Sequence, residues 1–218
     1  ERSSLLSRAA VSESLTIFGA SEVRGLLRNI YAVTFLIEFI GAVLLTWRFS
    51  SLENFTFAKA CWFGVFHSVS AFCNAGFSTF SRAAGHGGDN LMEFANDLPV
   101  NLVIMTQIVL GGLGFVVIHD LYLYFKQRGR RVLRLHTKIA LSTTVVLIIA
   151  GALLFYLFES GHLLANEPWY RALLPSFFKS VTSRTAGFNT VDTAALSSST
   201  LMLIMILMFI GGCPASTA

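Results

Sequence analysis

Two short uncharged segments of the chain have the composition expected of an ion-coordinating loop. Each contains one glycine among small, polar and aromatic residues, and their members are Asn74, Ala75, Gly76, Phe77, Ser78 and Thr185, Ala186, Gly187, Phe188, Asn189. Backbone carbonyl oxygens of such a loop can replace the hydration shell of a monovalent cation. A glycine permits the backbone angles that direct successive carbonyls toward one axis. The sequence therefore predicts a selectivity filter of carbonyl oxygens, which needs no carboxylate side chain.

The two segments belong to an internal repeat. The run FHSVS begins at residue 66 and precedes the first segment, and FKSVT begins at residue 178 and precedes the second. The glycines, Gly76 and Gly187, lie 111 positions apart, and an apolar stretch stands before and after each copy. Repetition of a whole unit indicates a duplicated architecture. We therefore expect each copy to contain a helix, a short pore helix with a glycine-containing loop, and a second helix.

The elements that must position these segments are membrane helices. Of the 218 residues, 54% are hydrophobic and 13% are charged, whereas soluble domains carry roughly 25% charged residues. This composition excludes a soluble globule, a disordered tail and a nucleic-acid-binding domain, so no nucleic-acid partner is expected. A transmembrane helix needs about 20 apolar residues. Four runs qualify, namely 29–47, which contains Glu38, 98–118, 139–158 and 193–218.

Two further stretches, 60–81 and 169–190, are too polar to be assigned by hydropathy alone. Basic residues cluster in segment 1–28 and in loop 126–138, and the positive-inside rule places both clusters in the cytoplasm. An even number of crossings must then separate them, so 60–81 is predicted to enter and leave the membrane on one face. Non-helical backbone survives at membrane depth only where it lines a cavity or is buried in protein. The pattern therefore indicates a pore or a substrate pathway.

These observations predict an all-α polytopic membrane protein that resembles a potassium channel in architecture. Its repeated unit is a helix, a re-entrant pore helix with its loop, and another helix. The predicted domains are a cytoplasmic segment 1–28, a pore repeat 29–125 with its re-entrant loop at 60–81, a cytoplasmic basic loop 126–138, and a second pore repeat 139–218 with its re-entrant loop at 169–190. The glycines and the proline after residue 210 predict an interruption of the last helix at membrane depth.

Other chemistries lack the residues that they require. The three cysteines, Cys61, Cys73 and Cys213, form no CxxC pair, and neither HExxH nor a pair of aspartates occurs in the apolar runs. A disulfide framework, a metal-ligand cluster and a covalent cofactor are therefore not expected, and neither is an enzyme. Two alternatives stay open. An intramembrane hydrolase would cleave a reporter substrate without ion flux, and a non-transporting membrane scaffold would show neither activity.

Four stretches together resemble the KtrB potassium-transporting subunits of the Trk/Ktr/HKT superfamily: HSVSAFCNAGFSTF, LRLHTK, SVTSRTAGFNTVD and MFIGGCPASTA. The resemblance implies uptake of potassium ions across the bacterial plasma (inner) membrane, often with sodium as a coupling ion, by a homodimer surrounded by membrane lipid. It also implies regulation by a cytosolic nucleotide-binding ring of the KtrA type. In that family four repeats surround one ion path. This chain looks like the second and third, so the 218 residues are expected to be part of a longer chain.

The resemblance also implies a gate below the filter. In this interpretation an intramembrane loop obstructs the ion path, and its residues are Gly211, Gly212, Cys213, Pro214, Ala215, Ser216 and Thr217. Two positions depart from the family pattern. Ser183 stands where relatives commonly have proline, and Cys213 with Pro214 occupies positions of small residues. Pro214 is therefore expected to alter the shape of the break in the last helix.

Single residues outside the filter segments carry their own expectations. Glu38 is expected to form a structural hydrogen bond inside the helix bundle, and Arg184 to support the second filter loop from behind through carbonyl contacts. His67 is interpreted as a packing residue of the pore helix, and Asp120 as a solvated side chain. The glycine cluster 111–114 fits either a hinge or a close helix contact.

Overall fold

The computed structural model describes residues 20–52, 55–81, 89–126, 132–165, 167–213 and 216, with side chains from residue 28 onward. Within these residues the chain forms helices joined by turns and contains no strand. The α-helices of this part of the chain are α1 Ala20–Ser50, α2 Phe57–Phe72, α3 Leu98–Leu113, α4 Phe115–Lys126, α5 Leu135–Glu159, α6 Trp169–Thr185 and α7 Ser198–Ile210. The prediction of an all-α fold is therefore confirmed.

Backbone contacts divide the chain into two compact units, residues 1–36 and 37–218. The described part of the first unit is the beginning of α1, which continues as one helix to Ser50. The second unit contains the rest of α1, helices α2 to α7 and both predicted filter segments, and the packing described below lies within it. Residues 1–19 of the predicted cytoplasmic segment and 127–131 of the basic loop lie outside the described residues.

In the part of the chain that the structure describes, two helices are long and apolar enough to cross a membrane. They are the part of α1 from Arg28 to Ser50, with 23 residues, and α5, with 25 residues. At 1.5 Å per residue these lengths correspond to about 35 Å, which exceeds the roughly 30 Å of the hydrocarbon core. In the most apolar 18-residue stretch of each helix, only 11% and 22% of the residues are buried inside the structure. Both helices coincide with predicted apolar runs, 29–47 and 139–158, and most of their surface is available to lipid or to further membrane helices.

The predicted span 98–118 is not one helix. It is divided between α3 and α4, which meet at an angle of 101°. The break lies at Gly114, whose φ of 84° is in the left-handed region that a residue without a side chain adopts readily. The glycine cluster 111–114 therefore contains a sharp bend. The expectation of a continuous span was wrong because hydropathy reports composition and not backbone direction.

Helices α2, α6 and α7 are each too short to cross the hydrocarbon core alone. Helices α2 and α6 have 16 and 17 residues, which is about 25 Å of helix, and they lie in the two stretches predicted to be re-entrant. Helix α7 has 13 residues and ends at Ile210. The next residue, Gly211, has a φ of 65°, so the helix stops at the place where the sequence predicts an interruption.

Two buried carboxylates join helix ends. Asp120, expected to be solvated, is only 3% exposed, and it accepts hydrogen bonds from the Thr137 hydroxyl at 2.8 Å and the Arg134 backbone N–H at 3.0 Å. Glu159 is fully buried and accepts a hydrogen bond from the Ser197 backbone N–H at 2.9 Å. The first carboxylate joins α4 to the start of α5, and the second joins the end of α5 to the start of α7. Buried acceptors of this kind are stable because donors satisfy them.

Candidate ion filter

The two predicted filter segments lie next to each other. Helix α2 ends at Phe72 and α6 ends at Thr185, and each is followed by a turn whose glycine has a positive φ, 68° at Gly76 and 87° at Gly187. A Cβ atom added to Gly76 would overlap the carbonyl oxygen of Ala186. The fold therefore brings together two loops that are far apart in sequence, and the first loop has no room for a side chain at its glycine.

Hydrogen bonds also connect the two loops. The Thr185 hydroxyl donates to the side-chain oxygen of Asn74 at 2.7 Å. The Asn189 backbone N–H donates to the side-chain oxygen of Asn90 at 3.2 Å, and the Leu91 N–H donates to the Asn189 carbonyl at 3.0 Å. The segment that follows the first loop therefore holds the second loop in place.

The serine at the centre of each repeated run fixes the pore helix to the long helix before it. The Ser68 hydroxyl donates to a carbonyl of α1 at 2.7 Å, and the Ser180 hydroxyl donates to a carbonyl of α5 at 2.8 Å. A glycine faces each serine, because a Cβ atom at Gly41 would overlap Ser68 and one at Gly151 would overlap Ser180. The two repeats therefore use the same close helix contact to position their pore helices.

The last hydroxyl of each run holds the carbonyl that follows the filter glycine. Ser70 donates to the Phe77 carbonyl at 2.8 Å, and Thr182 donates to the Phe188 carbonyl at 3.0 Å. Each carbonyl oxygen keeps a second lone pair, but the bond directs it toward its own pore helix. Both loops are thus held from behind by neutral hydroxyl groups.

A basic side chain occupies the second position of each run. His67 is fully buried, and its Nδ1 lies 2.7 Å from the Phe63 carbonyl while its Nε2 lies 2.9 Å from the Ser78 hydroxyl. Because a carbonyl can only accept, Nδ1 donates to it. The Ser78 hydroxyl also lies 3.3 Å from the Asn90 carbonyl, to which it can donate its one proton. Lys179 donates from Nζ to the side-chain oxygen of Asn189 at 2.8 Å. In both repeats this side chain therefore contacts the second residue after the filter glycine.

Aromatic rings pack behind the first loop. The Phe80 ring lies at their centre, with its centroid 4.7 Å from that of His67, 4.8 Å from that of Phe63 and 4.9 Å from that of Phe94. Such distances allow the edge-on and offset contacts that aromatic rings favour. His67 is therefore a packing residue, as interpreted from the sequence, and it also bonds directly to the loop.

The predicted gate segment begins beside the second pore helix. Its described members are Gly211, Gly212, Cys213 and Ser216, whereas Pro214, Ala215 and Thr217 lie outside the described residues. Arg184 donates from Nη2 to the Gly211 carbonyl at 3.2 Å, and the Cys213 N–H donates to the Gly112 carbonyl at 3.0 Å. The contact expected between Arg184 and the filter carbonyls is therefore a contact with the gate segment instead.

Acidic and thiol groups near the loops are sparse. Glu38 is half-buried, and its carboxylate lies 4.0 Å from the Cys73 thiol in an exposed contact, so the hydrogen bond expected inside the bundle stays a prediction. Among the described residues, no group of three or more His, Cys, Asp or Glu side chains is arranged to hold a metal ion.

Sequence reasoning missed three residues that position the loops. Asn90 lies outside the predicted filter segments, yet it accepts from the second loop and donates to the Gly76 carbonyl at 3.5 Å. Gly41 and Gly151 lie 110 positions apart, close to the spacing of the filter glycines. An alignment of the apolar helices, in addition to the motifs, would have found this glycine pair. Asn90 carries no comparable signal, because it has no counterpart in the second repeat.

Short helices that hold uncharged glycine loops between long apolar helices define an all-α membrane protein of the ion-transport class. The chain belongs to the TrkH family of cation transport proteins, which it matches over residues 20–218. The family consists of transporters and not of enzymes. The resemblance noted from the sequence motifs is therefore confirmed.

Similar proteins come from several bacteria. The chain is 38% identical to the potassium/sodium uptake protein NtpJ of Enterococcus hirae over 97% of its own length and 44% of that protein. It is 35% identical to the Ktr system potassium uptake protein B of Vibrio alginolyticus over 99% of its length and 46% of that protein. The chain thus spans less than half the length of these relatives.

A solved structure shares the fold. The crystal structure of the potassium transporter TrkH from Vibrio parahaemolyticus aligns with a TM-score of 0.65 and 18% sequence identity. The alignment covers 92% of this chain and 38% of that transporter. The helical arrangement described above is therefore that of an experimentally determined transporter fold.

Thr185→Val is expected to weaken the joint between the two loops. The substitution keeps the shape of the side chain and removes the hydroxyl that donates to Asn74, which should destabilise the protein by about 1 kcal/mol. We expect a melting temperature that is lower by about 2–4 °C and poorer discrimination between potassium and sodium in uptake assays. Thr106→Val is the control, because the Thr106 hydroxyl donates to a carbonyl of its own helix. Equal selectivity and melting temperature in both variants would contradict the prediction.

Proposed function

We propose that this chain forms part of a potassium uptake pathway in which backbone carbonyls of loops 74–78 and 185–189 select the ion. The observation that carries the proposal is the contact between two uncharged glycine loops at Gly76 and Ala186. Pore-helix hydroxyls hold the carbonyl that follows each glycine, so the loops are organised before an ion arrives. Rings of carbonyl oxygens are the means by which potassium filters replace the hydration shell of the ion.

The names of relatives support potassium as the transported ion. The Enterococcus hirae protein is named for potassium and sodium uptake, and the Vibrio alginolyticus protein for potassium uptake. We therefore assign potassium as the principal substrate and sodium as a coupling ion. No covalent cofactor is part of the proposal.

The pathway requires more loops than this chain supplies. The first loop packs on the second at Gly76, whereas a Cβ atom at Gly187 would meet nothing within 4 Å. A head-to-tail contact of this kind can be repeated until a ring closes. In the proposed ring, this chain contributes the second and third of four repeats, and the remaining loops belong to a longer protein. The chain covers 44% to 46% of the relatives' length, which supports two repeats out of four.

In the proposed topology the protein lies in the plasma membrane. Segment 1–28 and loop 126–138 are on its cytoplasmic side. The pore repeats then comprise residues 29–125 and 139–218. The concentration of basic residues in the two cytoplasmic segments supports this orientation. The short lengths of α2 and α6 support an entry and a return on the opposite face.

Segment 211–217 is the proposed gate. The hydrogen bond from Arg184 to the Gly211 carbonyl supports a mechanical link between this segment and the second pore helix. Relatives from Vibrio alginolyticus and Bacillus subtilis are named as protein B of a Ktr system, which supports a further component. In the proposed assembly the full-length subunit forms a homodimer, and a KtrA-like nucleotide-binding ring regulates it from the cytosol.

The decisive experiment is potassium uptake by cells that lack their own potassium-uptake systems and express this protein from its complete coding sequence. We expect growth at low potassium concentration and uptake that an excess of sodium inhibits only weakly. Cleavage of a membrane-embedded reporter substrate without ion flux would favour the hydrolase instead. The absence of both activities would favour the scaffold.

A further inference from the structure

Lys179 is a buried cation beside the second filter loop. It is 4% exposed and lies on α6, less than two turns before that helix ends at Thr185. It lines one cavity of about 370 Å³ together with Gly187 and Asn189. Among the described residues its polar contacts are the Asn189 side-chain oxygen at 2.8 Å and the Thr193 hydroxyl at 3.3 Å. Neither partner carries a charge, so the positive charge of Lys179 is not neutralised by a contact.

We propose that Lys179 determines the cation affinity of the filter, through a fixed positive charge behind the second loop and through its hold on the Asn189 side chain. The inference rests on the transport function proposed above and identifies a residue that tunes the same site. The Asn189 oxygen accepts from Lys179 and from the Thr193 hydroxyl, the latter at 3.2 Å. An amide oxygen has two lone pairs, so this oxygen is not free to coordinate a cation.

The first repeat shows what the same position does without a charge. His67 occupies the place of Lys179 in the repeated run and contacts Ser78, which corresponds to Asn189. Its ring is fully buried and packs against Phe80, and burial of this kind favours the neutral imidazole. The backbone frame around the two loops is thus alike, whereas the charge behind them differs. Lys179 is therefore not needed for the loop geometry as such.

The physical effect of the charge follows from its surroundings. A charge removed from water acts over a longer distance than an exposed one, because the effective dielectric constant is lower. At about 10 Å and an effective dielectric constant near 20, a unit positive charge weakens the binding of a monovalent cation by about tenfold. Conduction requires binding weak enough for the ion to leave the site. Lys179 therefore lowers the occupancy of the filter and favours release of the ion.

The test compares potassium uptake by the wild-type protein with uptake by Lys179→Gln. Glutamine retains an N–H donor for Asn189 and removes the charge, so we expect KM for potassium to fall by about tenfold. Inhibition by external Ba²⁺ provides an electrostatic readout. Its charge is twice that of K⁺, so the inhibition constant should fall by about the square of the KM factor.

Lys59→Gln is the matched control. Lys59 is the third residue of the first pore helix. The second pore helix also has a basic residue, Arg171, at its third position. It is exposed, so solvent screens its charge. We expect its removal to leave both KM and the Ba²⁺ inhibition constant unchanged.

A second variant tests the charge without removing the lysine. Asn189→Asp places a carboxylate next to the Lys179 ammonium group, neutralises it and should also lower KM. Normal wild-type uptake combined with an unchanged KM in both Lys179→Gln and Asn189→Asp would overturn this inference alone. A wild-type protein that takes up no potassium would overturn the proposed function and this inference with it.

Discussion

Replacing Gly76 by alanine is expected to reduce potassium uptake to the background level while the protein remains in the membrane. The φ of Gly76 is 68°, a conformation that costs an alanine about 1–2 kcal/mol. The new Cβ atom would also overlap the Ala186 carbonyl oxygen. That oxygen belongs to the backbone of the other filter loop, so it cannot rotate away as a flexible side chain could. The loops must separate, and the carbonyl positions on which selection depends are lost.

The measurement is potassium uptake together with the amount of protein in purified membranes. Gly161→Ala is the control, since a Cβ atom there meets nothing within 4 Å and the residue lies in the turn after α5. We expect uptake close to that of the wild type for this control. If Gly76→Ala transported potassium equally well, the contact between the loops would not be part of the ion path.

Replacing Gly187 by aspartate is expected to abolish potassium uptake or to destroy its selectivity, for a different physical reason. A Cβ atom at Gly187 meets nothing within 4 Å in this chain, and aspartate tolerates a positive φ better than most residues do. Within this chain the substitution therefore adds a charge without an overlap. A carboxylate beside the loop adds a charged oxygen ligand to a site that otherwise offers neutral oxygens. The ratio of potassium to sodium uptake should fall by at least about tenfold.

Competition between potassium and sodium in the uptake assay measures this ratio. Gly161→Asp introduces the same charge at a position that is equally open but remote from the loops, and it should leave the ratio unchanged. A Gly187→Asp protein with wild-type uptake and selectivity would remove the second loop from the proposed filter.

The two repeats use one backbone scheme with different side chains. In each, a serine joins the pore helix to the preceding long helix, and a later hydroxyl holds the carbonyl after the filter glycine. The side chain directly before these anchors differs, with His67 in one repeat and Lys179 in the other. A filter built in this way has similar carbonyl geometry on neighbouring sides but an uneven electrostatic environment. Ion affinity can therefore change by substitution of side chains without disturbance of the loops.

The second loop lies close in space to residues 211–213, the start of the proposed gate segment. Arg184 donates to the Gly211 carbonyl, and the next residue, Thr185, donates to Asn74 of the first loop. Two adjacent residues at the end of α6 thus contact the gate segment and the neighbouring loop. A movement of residues 211–213 would therefore act directly on the end of the helix that carries the second loop.

The pore helices and their glycine loops can be predicted from the sequence because each repeated run is short and stands next to its loop. The runs FHSVS and FKSVT each stand just before a glycine loop, and hydrogen bonds within a helix and its following loop depend mainly on residues near in sequence. The positive φ values of Gly76 and Gly187 agree with the reason for which these glycines were singled out. For the glycine cluster 111–114 the sequence left a hinge and a close helix contact equally open, since an apolar run of the same composition is compatible with a straight helix.

The sequence by itself determined the class of protein, the two glycine loops and the long apolar helices, because composition and duplication are visible along the chain. Only the tertiary structure decided which groups meet across the repeats. The contact of Gly76 with Ala186, the bridge through Asn90 and the burial of Lys179 behind its loop join residues on separate elements. Such contacts depend on how helices pack, and packing depends on shape and distance in three dimensions, which a linear pattern does not contain.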